Sequence, residues 1–398
     1  MTIFLIFFIN LTLLFADRDD YVLLISFDGF RYDYLDKTET PNFDYFVARG
    51  VHAKSLVPVF PSLTFPNHYS IATGAYSNSH RILSNSFFSK TLDKTYSMRD
   101  SESVQDGSFY GMEPIWVTAE KEGINTATYF WIGSEAEING YRPSIYKKYD
   151  GSISFESRVD SVVAWFRMPE DRRPHLSMLY FSEPDYSGHR YGTDSDEIIY
   201  SIKEMDLLLG YIVDQLRTLD IYNKLNIIIV SDHGMTNLDR SKVILLDEYM
   251  NLDQYNLILG PSISSLNFKI DEDIIKIDKD IAHLSIFDKG NIPTEYHFEN
   301  KDFPDYLFVA DEGWFISTTS NIKNKKSFPM GMHGYISENI DMHGIFMASG
   351  PSFNNGVLVD SFENINIYPL ICRTLNINPY DDVNREYWDQ LIINRIMR

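Results

Sequence analysis

The sequence predicts an α/β chain: a doubly wound, mostly parallel sheet with helices on both faces and a small antiparallel insertion. Three observations predict it. Short apolar runs alternate with helix-like segments, the clearest runs each end near an Asp or His, and the rhythm breaks only over about 260–320.

Tyr21–Phe27 (YVLLISF) is continuously apolar and stops at Asp28-Gly29, as a strand buried on both faces does. Residues 41–50 follow as a short helix, with proline in the first turn and glycine past the end. Thr64–Thr73 reads as a helix with Thr64 at its N-terminus, where backbone N–H groups favour an anion. Next come a helix over 114–123, a strand over 126–131 and a helix over 158–168. Leu176–Phe181 is a strand running into Glu183-Pro184-Asp185. Apolar residues spaced three and four apart over 196–219 predict a long amphipathic helix laid on the sheet. Leu225–Val230 is another buried strand and closes on Ser231-Asp232-His233-Gly234. Alternating runs such as Tyr306–Ala310 mark the insertion; 345–348 returns as a core strand and 364–375 as a terminal helix. With no internal repeat or linker, residues 17–398 are expected to form one catalytic domain.

Composition narrows the function. Hydrophobic content of 44% with 15% aromatics fills a large core and excludes a disordered chain. A net charge of −21 repels long polyanions, so no nucleic-acid duplex is expected as partner. Residues 1–16 carry no charge, and their apolar run is shorter than the roughly 20 residues that span a bilayer. They read as a signal peptide, so the mature chain is expected to be secreted, without a membrane span, and monomeric. Cys372 is the single cysteine, so no internal disulfide forms. The lone Asn-X-Thr sequon, at Asn10, falls inside the expected signal.

The chemistry-bearing residues sit beyond strand ends, where open α/β sheets place their ligands. Asp28, Asp185 with His189, Asp232-His233, and His333 between glycines supply three carboxylates and three imidazoles. Each has a plainer reading alone: Asp28-Gly29 as a turn, Asp185 and His189 as a loop pair on a small-residue turn, Thr64 as a helix cap. Together they form a nitrogen and oxygen set of the zinc type. With Thr64 the ligands number seven, too many for one tetrahedral ion and suited to two Zn²⁺. Two such ions against three carboxylates leave a charge of about +1, which suits a phosphodiester monoanion. Zinc can lower the pKa of a bound water from about 15.7 to about 7, and the same effect would activate a threonine hydroxyl. His343 follows a different strand-entry pattern and is read as outside the set. The chain has no His-Glu-x-x-His, Gly-x-Ser-x-Gly or Walker loop.

Six motifs, PSLTFPNHYSIATG (61–74), EPIWVTAEKEG (113–123), YFWIGSEAEINGYRPSIYKKYDGS (129–152), YFSEPDYSGHRYG (180–192), SDHGM (231–235) and GMHGY (331–335), resemble the ectonucleotide pyrophosphatase/phosphodiesterases. The resemblance runs from about residue 20 to about 385 and implies an alkaline-phosphatase-like fold. It implies that Asp28, Thr64, Asp232 and His233 hold one zinc, and Asp185, His189 and His333 the other. It further implies that Thr64 is the nucleophile, that Asn85 binds a phosphoryl oxygen, and that Phe65 and Tyr149 sandwich a nucleotide base. The activity implied is phosphodiester or pyrophosphate hydrolysis through a phospho-threonine, on nucleotides or choline-type phosphodiesters. Leu63 stands where nucleotide-cleaving members often carry lysine, Arg81 where glycine is frequent, and Phe87 to Tyr110 is divergent. Other readings are a phosphomonoesterase and a non-catalytic binding homologue. The first would want cations beside Thr64, and no Lys or Arg lies between Ser55 and His80. A sulfatase lacks its Cys/Ser-x-Pro-x-Arg motif here.

Overall fold

Each residue of Tyr21–Phe27 is buried because this strand has a core on either side. Val22 and Leu24 pack into one core, while Tyr21, Leu23, Ile25 and Phe27 pack into the other. Burying such side chains stabilises by about 1.5–3 kcal/mol each. That two-sided burial accounts for the unbroken apolar sequence. The computed structural model describes residues 20–269, 280–324 and 328–398. The expected signal peptide lies outside the described residues.

Eight strands form the central sheet: β1 (Tyr21–Phe27), β2 (Val51–Ala53), β3 (Thr126–Tyr129), β4 (Ile145–Lys147), β5 (Leu176–Phe181), β6 (Leu225–Val230), β7 (Phe346–Ser349) and β8 (Val357–Val359). They lie in the order β8-β2-β7-β6-β1-β5-β3-β4. Strand β7 pairs antiparallel with β6 and β2, and the remaining pairs are parallel. Helices α1 (Pro41–Ala48), α2 (Thr64–Thr73), α3 (Ile115–Lys121), α4 (Phe155–Phe166), α5 (Asp185–Tyr191), α6 (Asp196–Leu216) and α7 (Ile367–Thr374) surround it. One face is covered by α2, α3 and α7, the other by α1, α4 and α6. The α1 and α6 helices are also locked electrostatically: buried Asp206 accepts the first-turn N–H groups of Asn42 and Phe43, each at 2.9 Å.

The insertion is a four-stranded antiparallel sheet of Tyr255–Ile258, Ile263–Phe268, Leu284–Phe287 and Tyr306–Ala310. It begins five residues before the expected boundary.

Local chemistry moves several boundaries. The strand expected over 126–131 stops at Tyr129 because Phe130 adopts φ 67°, which a strand cannot continue. The α4 helix starts three residues earlier than expected, since the Ser154 side chain caps it by accepting the Ser157 N–H. The α6 helix ends at Leu216 rather than 219, and α7 is preceded by a 3₁₀ turn over Asn364–Asn366.

Candidate metal centre

Strand register brings the acidic residues together. Phe27 pairs with Phe181, and Ser26 with Val230, so β1, β5 and β6 end at one edge. Asp28 follows β1 directly, Asp232 is two residues past β6, and Asp185 opens α5. The Asp185 N–H donates to the Asp28 carbonyl at 2.9 Å. Gly29 has φ 66°, and a Cβ there would lie 2.8 Å from the Asp185 Cα. Its missing side chain lets the two loops close on each other, which an ordinary turn does not require.

The segment around His189 is a helix rather than the expected small-residue turn. The i, i+4 spacing therefore sets Asp185 and His189 on one helix face, with Nε2 3.4 Å from Oδ1. His333 Nε2 approaches the same Oδ1 at 3.6 Å. His233 Nε2 lies 3.1 Å from Asp232 Oδ2, 3.3 Å from Asp28 Oδ1 and 3.2 Å from Thr64 Oγ1. Thr64 is not the cap of α2. Leu63 holds that position, and the Thr64 hydroxyl faces the carboxylate cluster instead.

Three backbone acceptors set the imidazoles. Nδ1 of His189, His233 and His333 lies 3.0, 2.8 and 2.8 Å from the carbonyls of Gly331, Gly234 and Ser62. A carbonyl only accepts, so each Nδ1 carries a hydrogen and Nε2 is the nitrogen turned towards the cluster. Buried Asp28 Oδ1, Asp185 Oδ1 and Asp232 Oδ2 have no hydrogen-bond partner among the described residues. An unsatisfied buried polar atom costs about 1–3 kcal/mol, so three at one spot are a liability unless a cation engages them.

Electrostatics point the same way. Burial, then repulsion from Asp232 and Asp185, holds the Asp28 carboxyl well above the usual carboxylate range. Burial also works against ionised Asp232, but His233 and His68 outweigh it and hold that carboxyl low. Burial, then His233 and His189, keeps His333 neutral far below the ordinary histidine range. Asp185, His189 and His333 form one group whose ligand atoms lie within 4.8 Å of one another, and Asp28, Asp185 and His233 form a second. The donor chemistry and these unpartnered oxygens fit divalent cations.

Two supporting residues carry no strand-end signature. The Tyr180 hydroxyl donates to Asp28 Oδ2 at 2.5 Å. His68 Nδ1 faces the Thr64 carbonyl at 2.9 Å and Asp232 Oδ2 at 3.2 Å, and its Nε2 meets Ser26 Oγ at 2.8 Å. Tyr180 lies inside the YVLLISF-like run of β5, and only its hydroxyl in an apolar strand hints at a role. His343 stays outside the cluster, bonded to Ser55 Oγ and the Ser337 carbonyl.

The predicted substrate residues divide. Asn85 lines a cavity of about 680 Å³ together with Thr64, Asp185, His189 and His333. Its Oδ1 accepts the Phe65 N–H at 2.9 Å, which leaves the NH₂ as the group available to a ligand. Phe65 and Tyr149 do not line this cavity. Tyr149 is 56% exposed and packs on Phe130 and Tyr180, so it approaches the centre through the residue that holds Asp28.

Residues 22–336 match the family model described as type I phosphodiesterase / nucleotide pyrophosphatase. The chain belongs to this family. It is 36% identical to human ectonucleotide pyrophosphatase/phosphodiesterase family member 5 over 94% of its length and 78% of that protein. Identity to the Naja atra venom phosphodiesterase is also 36%, over 90% of this chain but 44% of the venom protein. The solved structure of murine ectonucleotide pyrophosphatase/phosphodiesterase 5 superposes with a TM-score of 0.89 at 32% identity, covering 95% of this chain and 100% of that one. An inactive threonine-to-alanine variant of the murine protein, solved with AMP, superposes at 0.88. The fold is thus alkaline-phosphatase-like, and the chain is a hydrolase of phosphodiester and pyrophosphate bonds. No described helix is long and apolar enough to cross a membrane.

Proposed function

We propose that residues 17–398 act as one secreted, monomeric catalytic domain that cleaves small nucleotide phosphodiesters and pyrophosphates with two Zn²⁺ and a phospho-threonine at Thr64. Asp28, Thr64, Asp232 and His233 would hold one ion, and Asp185, His189 and His333 the other. When bound, the ions offset the carboxylate charge and acidify a coordinated hydroxyl or water.

The rest of the chemistry belongs to the chain. Thr64 Oγ1 attacks phosphorus, and the bridging P–O bond breaks with its electron pair on the departing group. The N-terminus of α2 and the Asn85 NH₂ stabilise the non-bridging oxygens. Phe65 and Tyr149 orient the base. Water then attacks the phospho-threonine, frees the monoester and restores the Thr64 hydroxyl. Tyr180 and His68 steady Asp28 and Asp232 through these steps.

The observation that carries this reading is the set of three unpartnered buried carboxylate oxygens facing three Nε2 atoms beside a hydroxyl that caps nothing. Extracellular placement is supported by the apolar N-terminus and by the venom relative. Thr64→Ala should abolish turnover of a nitrophenyl nucleotide ester, a loss of at least about a thousandfold, while two zinc ions per chain remain by elemental analysis. Undiminished turnover would remove Thr64 from its role, and a wild-type chain without bound zinc would overturn the metal assignment.

A further inference from the structure

The cavity at Thr64 extends well past the metal centre. Its far part is walled by two segments that the reaction does not use. One is the hairpin of Ser86–Ser89 and Lys94–Ser97, all of which but Ser86 belongs to the stretch Phe87 to Tyr110 noted above. The other is the inserted antiparallel sheet. Phe87, Met98, Ile258, Ile263 and Leu307 make this part apolar. Arg99 is the one Lys or Arg among its lining residues; it is exposed and forms no ion pair among the described residues. The acid nearest in role, Asp302, is already engaged: it accepts from the Thr91 N–H at 2.7 Å and Ser89 Oγ at 3.0 Å, and pairs with Arg81 at 3.3 Å. An unpaired guanidinium in a chain of net charge −21 is a prepared anion contact.

A nucleotide substrate has two ends, and on the reading above Phe65 and Tyr149 take one. Neither Phe65 nor Tyr149 borders the far chamber, so a base held between them leaves the chamber to the other end. A volume of about 680 Å³ including the reaction centre is of ligand size, within the roughly 300–1,000 Å³ of small-molecule sites.

We infer that this chamber is the leaving-group subsite, with Arg99 as its specificity-determining residue. The inference rests on the phosphodiesterase reading above. It takes a departing nucleoside monophosphate: the base and sugar pack on the apolar wall while the phosphate faces Arg99. In the step, the Thr64 Oγ1–P bond forms and the bridging P–O bond breaks. The electron pair stays with the departing phosphate, and the threonine proton goes to solvent. Arg99 touches only the leaving half, so it favours pyrophosphate-linked substrates over esters whose leaving group carries no phosphate.

Two substrates with the same transferred nucleotide separate these effects: a dinucleoside 5′,5′-diphosphate and the 4-nitrophenyl ester of the same nucleoside monophosphate. In full-length enzyme, Arg99→Gln should lower kcat/KM for the dinucleotide about tenfold, and Arg99→Glu further, because a charged hydrogen bond is replaced and then reversed. The nitrophenyl ester should change by no more than about twofold, which also shows that the variants fold. Equal effects on both substrates, or none on the dinucleotide, overturn the subsite. If wild-type enzyme cleaves neither substrate, the phosphodiesterase reading falls and takes this inference with it. If the ester is cleaved through Thr64 and the Arg99 variants treat both substrates alike, only the subsite falls.

Discussion

At one end of the cavity, three carboxylates and three imidazoles sit at the edge of the central sheet, fixed by main-chain carbonyls and by Tyr180 and His68. At the other end, a short hairpin and an inserted sheet supply apolar walls and Arg99, which forms no ion pair among the described residues. At the first end Asp28, Asp185 and Asp232 follow β1, β5 and β6 in fixed register, so moving any of them would disturb the core beneath. The second stands on segments outside that sheet, where side chains can change without touching β1, β5 or β6. On the proposed reading, bond cleavage and substrate choice are mounted on different parts of the fold.

Removing a shared ligand should break the first end most severely. Asp185→Ala takes away the carboxylate that both candidate groups use. Activity should fall by about a thousandfold, or about 4 kcal/mol, with zinc content reduced by elemental analysis. Full activity with two ions retained would contradict the shared role. A milder change sharpens the comparison. Tyr180→Phe deletes only the hydroxyl on Asp28 and should weaken zinc affinity or kcat about tenfold, read by titration against a chelator. If the same variant altered dinucleotide preference instead, the separation of the two ends would fail.

Much of the first end was legible in the sequence because strand ends and turn residues write themselves locally. Asp28, Asp185, Asp232 and His233 each follow an apolar run that reads as a buried strand. Tyr180 was hidden because its backbone belongs to a strand and its hydroxyl acts across to a neighbouring strand's loop. His68 was hidden inside α2, where a histidine has no periodic signature. The helix at Asp185 escaped notice because Tyr-Ser-Gly-His has weak propensity, and contact with α6 and the 331–332 strand decides its conformation. The far chamber could not be read at all, since its two walls lie more than 150 residues apart and meet only through tertiary packing.

The smallest expected effect lies outside both ends. Burial pushes the His80 imidazole from its ordinary 6.5 down to about 3. The neutral ring is held by Ser70 Oγ on Nε2 and by the Ile82 N–H on Nδ1. A depressed histidine binds its proton more readily in the unfolded chain. Its stabilising contribution is therefore complete above pH 6.5 and is lost as pH falls from 6.5 towards 3. His80→Gln should flatten the fall of Tm across that window while leaving activity at pH 7.5 near wild type. An unchanged acid slope would assign it to other groups.

The partners that orient His189, His233 and His333 are peptide oxygens, of Gly331, Gly234 and Ser62. Exchanging a side chain does not delete a peptide oxygen. Gly331 and Gly234 are themselves constrained, since a Cβ there would lie 2.5 Å from the Gly188 carbonyl oxygen and 2.1 Å from that of Asp341, but drift elsewhere that keeps the backbone path keeps the ring orientations. The orientation of the three rings is thus sheltered from side-chain changes that leave this stretch of main chain in place.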